Sequence, residues 1–533
     1  MNAGSPIEKS GASASGSIII DGHSLTIEAV EAIAGGAQVG LHPRVAEVCA
    51  ASREVVEQFI RHKMVAYGIN TGFGRLANKH IDDEQLQKLQ RNLIVSHSSG
   101  VGDYVSDAVV RAMMGLRVNS LANGFSGARI ELLQALLDLL NHGIAPRVPS
   151  HGSVGASGDL APLAHMALGL LGEGEVSYKG RIVPAAEALA AEGLAPFVLA
   201  AKEGLALING TQFMTAVGGL ALARVARVLK AADIIGALTT EAVLGTDTSV
   251  HHLLHAVRGQ ECQRQVASNM RRLLADSAIV ASHKHCARVQ DAYSIRCLPQ
   301  VHGAARSGYN FACDLVQRDM NSVTDNPVVF PVSYLDEAER AEHPFGLIMS
   351  GGNFHGAPVA LALDTAAVAL CYIGTISERR CDRLLAGNDG LPPFLVVNAG
   401  LNSGLMIVQY AAASLVNENK VLAHPASVDT VPTSAGQEDH NSHGPTSAHK
   451  LTAIVDNLEQ ILACELICAC QALETRRPLK SSPPLAAAYA EVRRVVAPLD
   501  GDRSPHPDIK AARRLIADGV LQQAVEQVIG PLA

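Results

Sequence analysis

Ser150–Leu160 reads SHGSVGASGDL, and this stretch decides how the rest of the 533-residue chain is understood. Gly152, Gly155 and Gly158 let the backbone bend where a Cβ would hinder it, and Ala156 and Ser157 between them are small. The residues alone leave more than one reading open. A glycine turn between helices accounts for the composition. A phosphate-binding loop does not fit, because no Gly-Lys-Ser/Thr follows. A nucleophilic-serine elbow needs Gly-x-Ser-x-Gly, and Gly155-Ala156-Ser157-Gly158 is one residue short of it.

Outward from this loop the pattern is helical. Ser106–Leu121 sets Val110, Met113, Met114, Val118 and Leu121 on one face, and Ser447–Glu474 repeats the same three-and-four spacing through Leu451, Ile454, Val455, Leu458, Ile461, Leu462 and Leu466. Ala366–Ile376 carries no charge and is apolar nearly all round, which predicts burial on every side. Gly204–Ala223 and Pro392–Val416 are long enough to span a bilayer. Asn209, Thr211 and Gln212 interrupt the first, and Asn398, Gly400, Asn402, Gly404 and Gln409 the second. They read as buried helices at the centre of an oligomer. Only Ile18–Thr26 suggests a strand and turn. The expected fold is mainly α: a smaller mixed N-terminal domain over 18–220, carrying the glycine loop, followed by a long helical bundle over 221–533. Residues 1–17, rich in Gly, Ser and Ala without a basic segment and apolar core, read as a disordered tail rather than a signal peptide.

The totals restrict the function. Apolar residues make up 48% and charged residues 18%, few enough charges that much surface is expected to be buried between subunits. A net charge of −8 argues against nucleic acid or an anionic membrane as partner, and there is no Trp for a base-stacking platform. The ten cysteines lack zinc-ligand spacing. Cys464, Cys468 and Cys470, on an apolar helix, read as buried reduced thiols, as in a cytosolic protein. His251-His252 has no acidic neighbours at ligand spacing, so no metal site is expected.

Further clusters break the helices: Tyr67–Gly74 (YGINTGFG), Asn209-Gly210-Thr211, Gln290–Cys297 (QDAYSIRC), Asp325-Asn326-Pro327, Ser350–His355 (SGGNFH) and Gln437–His440 (QEDH). Helical bundles do not need them, and their spread over more than 350 residues suggests loops converging on one site.

Together with GSVGASGDLAPLA, these clusters resemble the aromatic amino acid ammonia-lyases and aminomutases over essentially the whole chain from Ile18. The resemblance implies that Ala156-Ser157-Gly158 cyclises to 4-methylidene-imidazol-5-one. The amide nitrogen of Gly158 would attack the carbonyl carbon of Ala156, and two waters would leave, one carrying the Ser157 hydroxyl. It implies roles by position as well. Tyr67 matches the base that takes the β-proton, and a phenol ordinarily titrating near about 10 needs positive surroundings for that work. Tyr293 matches a second active-site tyrosine. Arg296 matches the arginine that grips the substrate carboxylate, for which a planar fork is suited. Asn209 matches a side chain beside the ring, Phe354 a wall of the pocket, and Gln290 and Asn326 hydrogen-bonding neighbours.

Two places speak for the substrate. Phenylalanine-type members of the family carry an apolar pair such as Phe-Leu where this chain has Ser96-His97, and tyrosine-type members His-Leu. A polar His97 suits an imidazole, and a phenyl ring would leave it unpaired at a cost of about 1–3 kcal/mol. Glu438, in Gln437-Glu438-Asp439-His440, stands where phenylalanine-type members are uncharged, and can hold an imidazole N–H. Gly436 replaces the asparagine usual in histidine-type members, which puts the backbone around Glu438 in question. SERR at 377–380, LPPFL at 391–395, GLNSG at 400–404 and SLVNENKVLAH at 414–424 also resemble the histidine type. The resemblance therefore implies deamination of L-histidine to trans-urocanate, the first step of histidine breakdown, by a cytosolic homotetramer whose sites form from several subunits. A phenylalanine or tyrosine lyase or 2,3-aminomutase is the alternative, and a non-catalytic helical scaffold a second one.

Overall fold

The computed structural model describes residues 17–72, 81–284 and 286–533. Most of the proposed tail, and Phe73 and Gly74 of the tyrosine cluster, lie outside the described residues. Helices dominate: twenty-one α-helices and nine strands of two to four residues among the described residues. The chain divides into two compact units. It leaves the first unit at 220, and later stretches 313–363 and 426–449 return to it. The second comprises 221–312, 364–425 and 450–533.

In the first unit, Ile18–Ile20 forms a strand paired in parallel with Val39–Leu41. Val101–Tyr104 pairs antiparallel with Pro149–His151, which anchors the N-terminal end of the glycine stretch. Ser106 caps the helix Asp107–Ala122, its hydroxyl accepting the Val109 N–H. This helix is not the one-faced element its periodicity predicts. Every residue from Ala112 to Ala122 is buried, Arg117, Asn119 and Ser120 included. Gly204–Ala223 is not one helix. Glu203–Ile208 ends at Asn209, and Gln212–Ala242 begins afresh, so the Asn-Gly-Thr turn stands between two helix ends.

The second unit is built from long helices, among them Met406–Leu422 and the greater part of Ala357–Leu385 and of Gly444–Glu474, with His506–Ala517 and Val520–Ile529 near the C-terminus. Along Gly444–Glu474 the apolar series Leu451 to Leu466 has no exposed surface, as the spacing requires. Ala357–Leu385 is long and apolar enough to cross a membrane and is mostly buried. Its burial is not all round, however. Ala366, Ala367, Leu370 and Ile373 are buried, whereas Val368 and Tyr372 expose 44% and 52% of their surface. Ile407 and Tyr410 of Met406–Leu422 are exposed as well. The helices present apolar side chains that one chain alone does not cover. Pro392–Val416 is likewise no single helix, since Met406 opens its helical part.

The interior of this unit holds charge. Glu465 accepts Arg380 Nε at 2.5 Å and Nη2 at 2.9 Å, Thr239 Oγ1 at 2.6 Å and Ser377 Oγ at 2.6 Å. Asp233 takes His302 Nδ1 at 2.8 Å and Arg306 Nη2 at 2.7 Å. The cysteines form no disulfide among the described residues. Cys464, Cys468 and Cys470 are buried, and Cys381 Sγ lies 3.7 Å from Cys468 Sγ. Not every thiol is interior, since Cys286 is exposed.

Candidate active site

The glycine stretch folds as a tight, pinned loop between Pro149–His151 and the helix Leu160–Leu170. Ser157 sits at φ +53° and Gly158 at φ +76°, two successive residues in the left-handed region, where a non-glycine residue is held under strain. Gly155 and Gly158 have no room for a side chain. A Cβ on Gly158 would collide with the Gly210 carbonyl oxygen, and one on Gly155 with Ser442 Oγ. Hydrogen bonds fix the loop: Ser153 Oγ donates to Gly158 O at 3.2 Å and accepts Gly155 N–H at 3.0 Å, His443 N–H reaches Val154 O at 2.9 Å, and Asp159 N–H reaches Gly210 O at 2.7 Å. Asp159, fully buried and without a cation partner among the described residues, has its carboxyl pushed up to about 8 by burial.

The loop opens onto a cavity of about 670 Å³, a size suited to a small-molecule substrate. Leu89, Asn92, Leu93, Ser96 and His97 line it from one face of the helix Leu86–His97, at the spacing that stacks side chains on a helix. Ile81, Leu160 and Leu205 add apolar wall, and Tyr67, Ser157, Asn209, Ser434 and Glu438 polar groups. Ser157 Oγ donates to Glu438 Oε1 at 3.2 Å. Glu438 Oε2 accepts Thr433 Oγ1 at 2.8 Å. Asn209 Nδ2 donates to Ser157 O at 3.0 Å, while its Oδ1 is buried without a hydrogen-bond partner among the described residues. Ser96 Oγ lies 3.1 Å from His97 Nδ1. Burial lowers the His97 pKa, against the opposing pull of the Glu438 carboxylate, so the imidazole is neutral near pH 7.

Gly436 answers the question its presence raised. It adopts φ +85° in open space, and Ala435 before it is also left-handed. Thr433 and Glu438 close the turn by exchanging backbone hydrogen bonds, Thr433 N–H to Glu438 O at 2.8 Å and Glu438 N–H to Thr433 O at 3.3 Å. Glycine meets that geometry without strain.

Thus Tyr67, His97, Ser157, Asn209 and Glu438, drawn from over 370 residues of sequence, line one cavity; Ala156 and Gly158 adjoin Ser157 in the chain but are not among the lining residues. Other expected site residues lie elsewhere in the chain. Asn326 ties its own loop to the SGGNFH loop, accepting Gly351 N–H at 2.7 Å and donating to Ser350 Oγ at 3.3 Å. Phe354, half-buried in that second loop, is not among the lining residues. Gln290, Tyr293 and Arg296 belong to the second unit. Tyr293 exposes 71% of its surface on a four-residue helix, with the Arg296 guanidinium 4.5 Å from its ring centre. Motif position alone does not tell whether a residue serves the cavity of its own chain. Conversely, Asn92 and Ser434 line the cavity without having been expected. The spacing 89, 92, 93, 96, 97 around Ser96-His97 was the available signal for the first; nothing local marks the second.

The residues present fit the cyclised group. Ser157 and Gly158 are both left-handed, Gly210 and Ser442 leave no room for added side chains at 158 and 155, and Asn209 Nδ2 holds the Ser157 carbonyl.

A family model described as aromatic amino acid lyase matches residues 25–494. The histidine ammonia-lyase of Sorangium cellulosum (strain So ce56) is 50% identical, over 96% of this chain and 99% of its own length. Among solved structures, histidine ammonia-lyase from Trypanosoma cruzi superposes with a TM-score of 0.87 at 40% identity, covering 96% of this chain and 95% of that one. Tyrosine aminomutase from Streptomyces globisporus gives 0.89 at 35% identity, covering 96% and 98%. With its fold and its sequence in agreement along nearly their whole length, the chain belongs to the aromatic amino acid lyase family.

Proposed function

We propose that this chain eliminates ammonia from L-histidine to give trans-urocanate, with an electrophile formed from its own Ala156-Ser157-Gly158. The Sorangium and Trypanosoma relatives are histidine ammonia-lyases. The single observation that carries the reading here is Ser157 Oγ at 3.2 Å from Glu438 Oε1, in a cavity that also holds Tyr67 and His97. The ring supplies, once formed, the conjugated methylidene electrophile that unmodified side chains lack and that activates the amine for departure.

The remaining work falls to side chains. The Tyr67 oxygen takes the β-proton. The electron pair of that C–H bond becomes the Cα=Cβ double bond, and the C–N pair leaves with the amine, so no oxidant is needed. Glu438, a carboxylate held by Thr433, accepts an imidazole N–H. Neutral His97 offers a second hydrogen-bonding group to the same ring. A phenyl ring satisfies neither, which disfavours the aryl substrates by leaving polar groups unpaired. Asn209 holds the Ser157 carbonyl.

We place the chain in a cytosolic homotetramer. Support comes from exposed apolar side chains at Val368, Tyr372, Ile407 and Tyr410 and from the exposed Tyr293. In such an assembly Tyr293 and Arg296 of one copy complete the cavity of another, Arg296 pairing the substrate carboxylate, with Gln290 and Phe354 as neighbours. Sedimentation gives the state, and a monomer with full activity defeats this part.

Intact mass tests the reading itself. The unaltered protein is expected about 36 Da below the sequence mass, the loss of two waters. Histidine, and not phenylalanine or tyrosine, should produce a rise in near-ultraviolet absorbance. An unreduced mass overturns the electrophile, and turnover of the aryl amino acids instead overturns the substrate.

A further inference from the structure

Arg117 lies in the buried half of Asp107–Ala122 with no exposed surface. A buried guanidinium is unfavourable unless it is compensated, and a core position that needed only volume would take an aliphatic residue. Among the described residues no carboxylate lies within ion-pairing distance of Arg117, although the charge of Asp325 acts on it from farther off. Its Nη1 donates instead to Asn209 O and to Gln212 Oε1, each at 2.7 Å, while Nε and Nη2 are buried without a partner among the described residues. The turn is shaped around it. Gly210, at φ +155°, is the position where a Cβ would collide with Arg117 Nη1 and Gln212 Oε1. Gln212 is itself held from the far side, its Nε2 donating to Thr324 Oγ1 at 2.8 Å.

The turn gripped in this way touches the glycine loop twice, through Gly210 O on Asp159 N–H at 2.7 Å and through Asn209 Nδ2 on Ser157 O at 3.0 Å. One residue, Asn209, therefore has its backbone carbonyl on Arg117 and its side chain on Ser157. We propose that Arg117 is a positioning residue for the elimination: by gripping the Asn209 carbonyl it sets the Asn209 amide on the Ser157 carbonyl, the oxygen toward which electron density moves when the electrophile is attacked. A donor aimed at such an oxygen in a buried site is worth about 10²–10³ in rate, and it is lost by small displacements.

The inference rests on the cyclisation of Ala156-Ser157-Gly158. The test uses full-length unaltered protein, Arg117→Met, Arg117→Lys, Asn209→Ala and the double variant Arg117→Met/Asn209→Ala, each measured by intact mass and by turnover per ring-bearing chain. Arg117→Met is expected to lower kcat by about 10- to 100-fold with KM changed by less than about threefold. Arg117→Lys, which keeps the charge but replaces the planar fork with one ammonium nitrogen, should recover part of the loss. The double variant should be no slower than Asn209→Ala within about threefold, because both act on one hydrogen bond. If the two losses multiply, or if turnover per ring-bearing chain stays within about twofold of the unaltered protein, Arg117 is only structural and the proposal fails. Should Arg117→Met not fold, Arg117→Lys, alone and combined with Asn209→Ala, is judged by the same criteria. An unaltered protein without the loss of two waters defeats the cyclisation itself, a separate result.

Discussion

Two buried polar networks, one in each unit, differ in how completely they are satisfied. In the second unit Glu465 receives four hydrogen bonds, from Arg380, Thr239 and Ser377, and nothing on it is left over. Around the 209–212 turn of the first unit, Arg117 Nε and Nη2, Asn209 Oδ1 and Asp159 Oδ1 lack partners among the described residues, and the backbone at Ser157 is left-handed. A closed network of opposite charges specifies how helices pack. An open one beside strained backbone costs stability and persists where chemistry uses it. The contrast teaches that burial of charge alone does not mark a site, whereas buried polar groups left unpaired beside a cavity do.

Substitutions can break this contrast. Ser157→Ala should have the largest effect, removing the loss of two waters and lowering turnover by at least about 10³-fold, while the thermal midpoint stays close to that of the unaltered protein. A large drop in the midpoint would make the loop a folding element instead. Arg380→Met should do the reverse. Leaving Glu465 buried without its cation costs about 3–5 kcal/mol, read from urea unfolding, while the folded fraction still shows the two-water loss. Glu438→Gln should keep both mass and stability and lower turnover of histidine by about 10²-fold; near-normal turnover would remove the basis for choosing histidine.

The smallest effect concerns pH. Burial depresses the folded-state pKa of His97 below its ordinary 6.5. Above that value both states are neutral and the residue contributes nothing. As the pH falls below it, the unfolded chain takes up the proton first, and stability declines until the folded pKa is reached. His97→Gln should therefore lose less urea resistance than the unaltered protein between pH 7.5 and about 5.5. Parallel curves would mean that His97 is more freely solvated than its place in the cavity implies.

Much of the site was legible because its signals are local. Glycines at 155 and 158, Tyr67 in its motif and the pair Ser96-His97 are short, unusual strings, and the long apolar series of 447–474 has one helical period. What was not legible depends on distance in sequence. Arg117 sits in an apolar helix whose periodicity says only that it is buried, and its partner Asn209 lies 92 residues on. Asp159, directly before the helix Leu160–Leu170, makes no cap bond to that helix and instead accepts Met214 N–H at 2.9 Å, a partner 55 residues on. The exposed face of Ala357–Leu385 was missed because composition says how apolar a helix is, not which neighbours a single chain has to cover it.

By itself, the amino-acid order determined the helical class, through apolar spacing within a few turns, and the short strings around Tyr67, Ser96-His97, Ala156-Ser157-Gly158 and Glu438 that carry the resemblance to the family. Only the tertiary structure decided that Ser157 meets Glu438 across 281 residues, that Gly210 must lack a side chain so that Arg117 can approach, and that Tyr293 is left exposed rather than lining this cavity. Those outcomes follow from which surfaces pack together, and packing is settled by the whole chain at once.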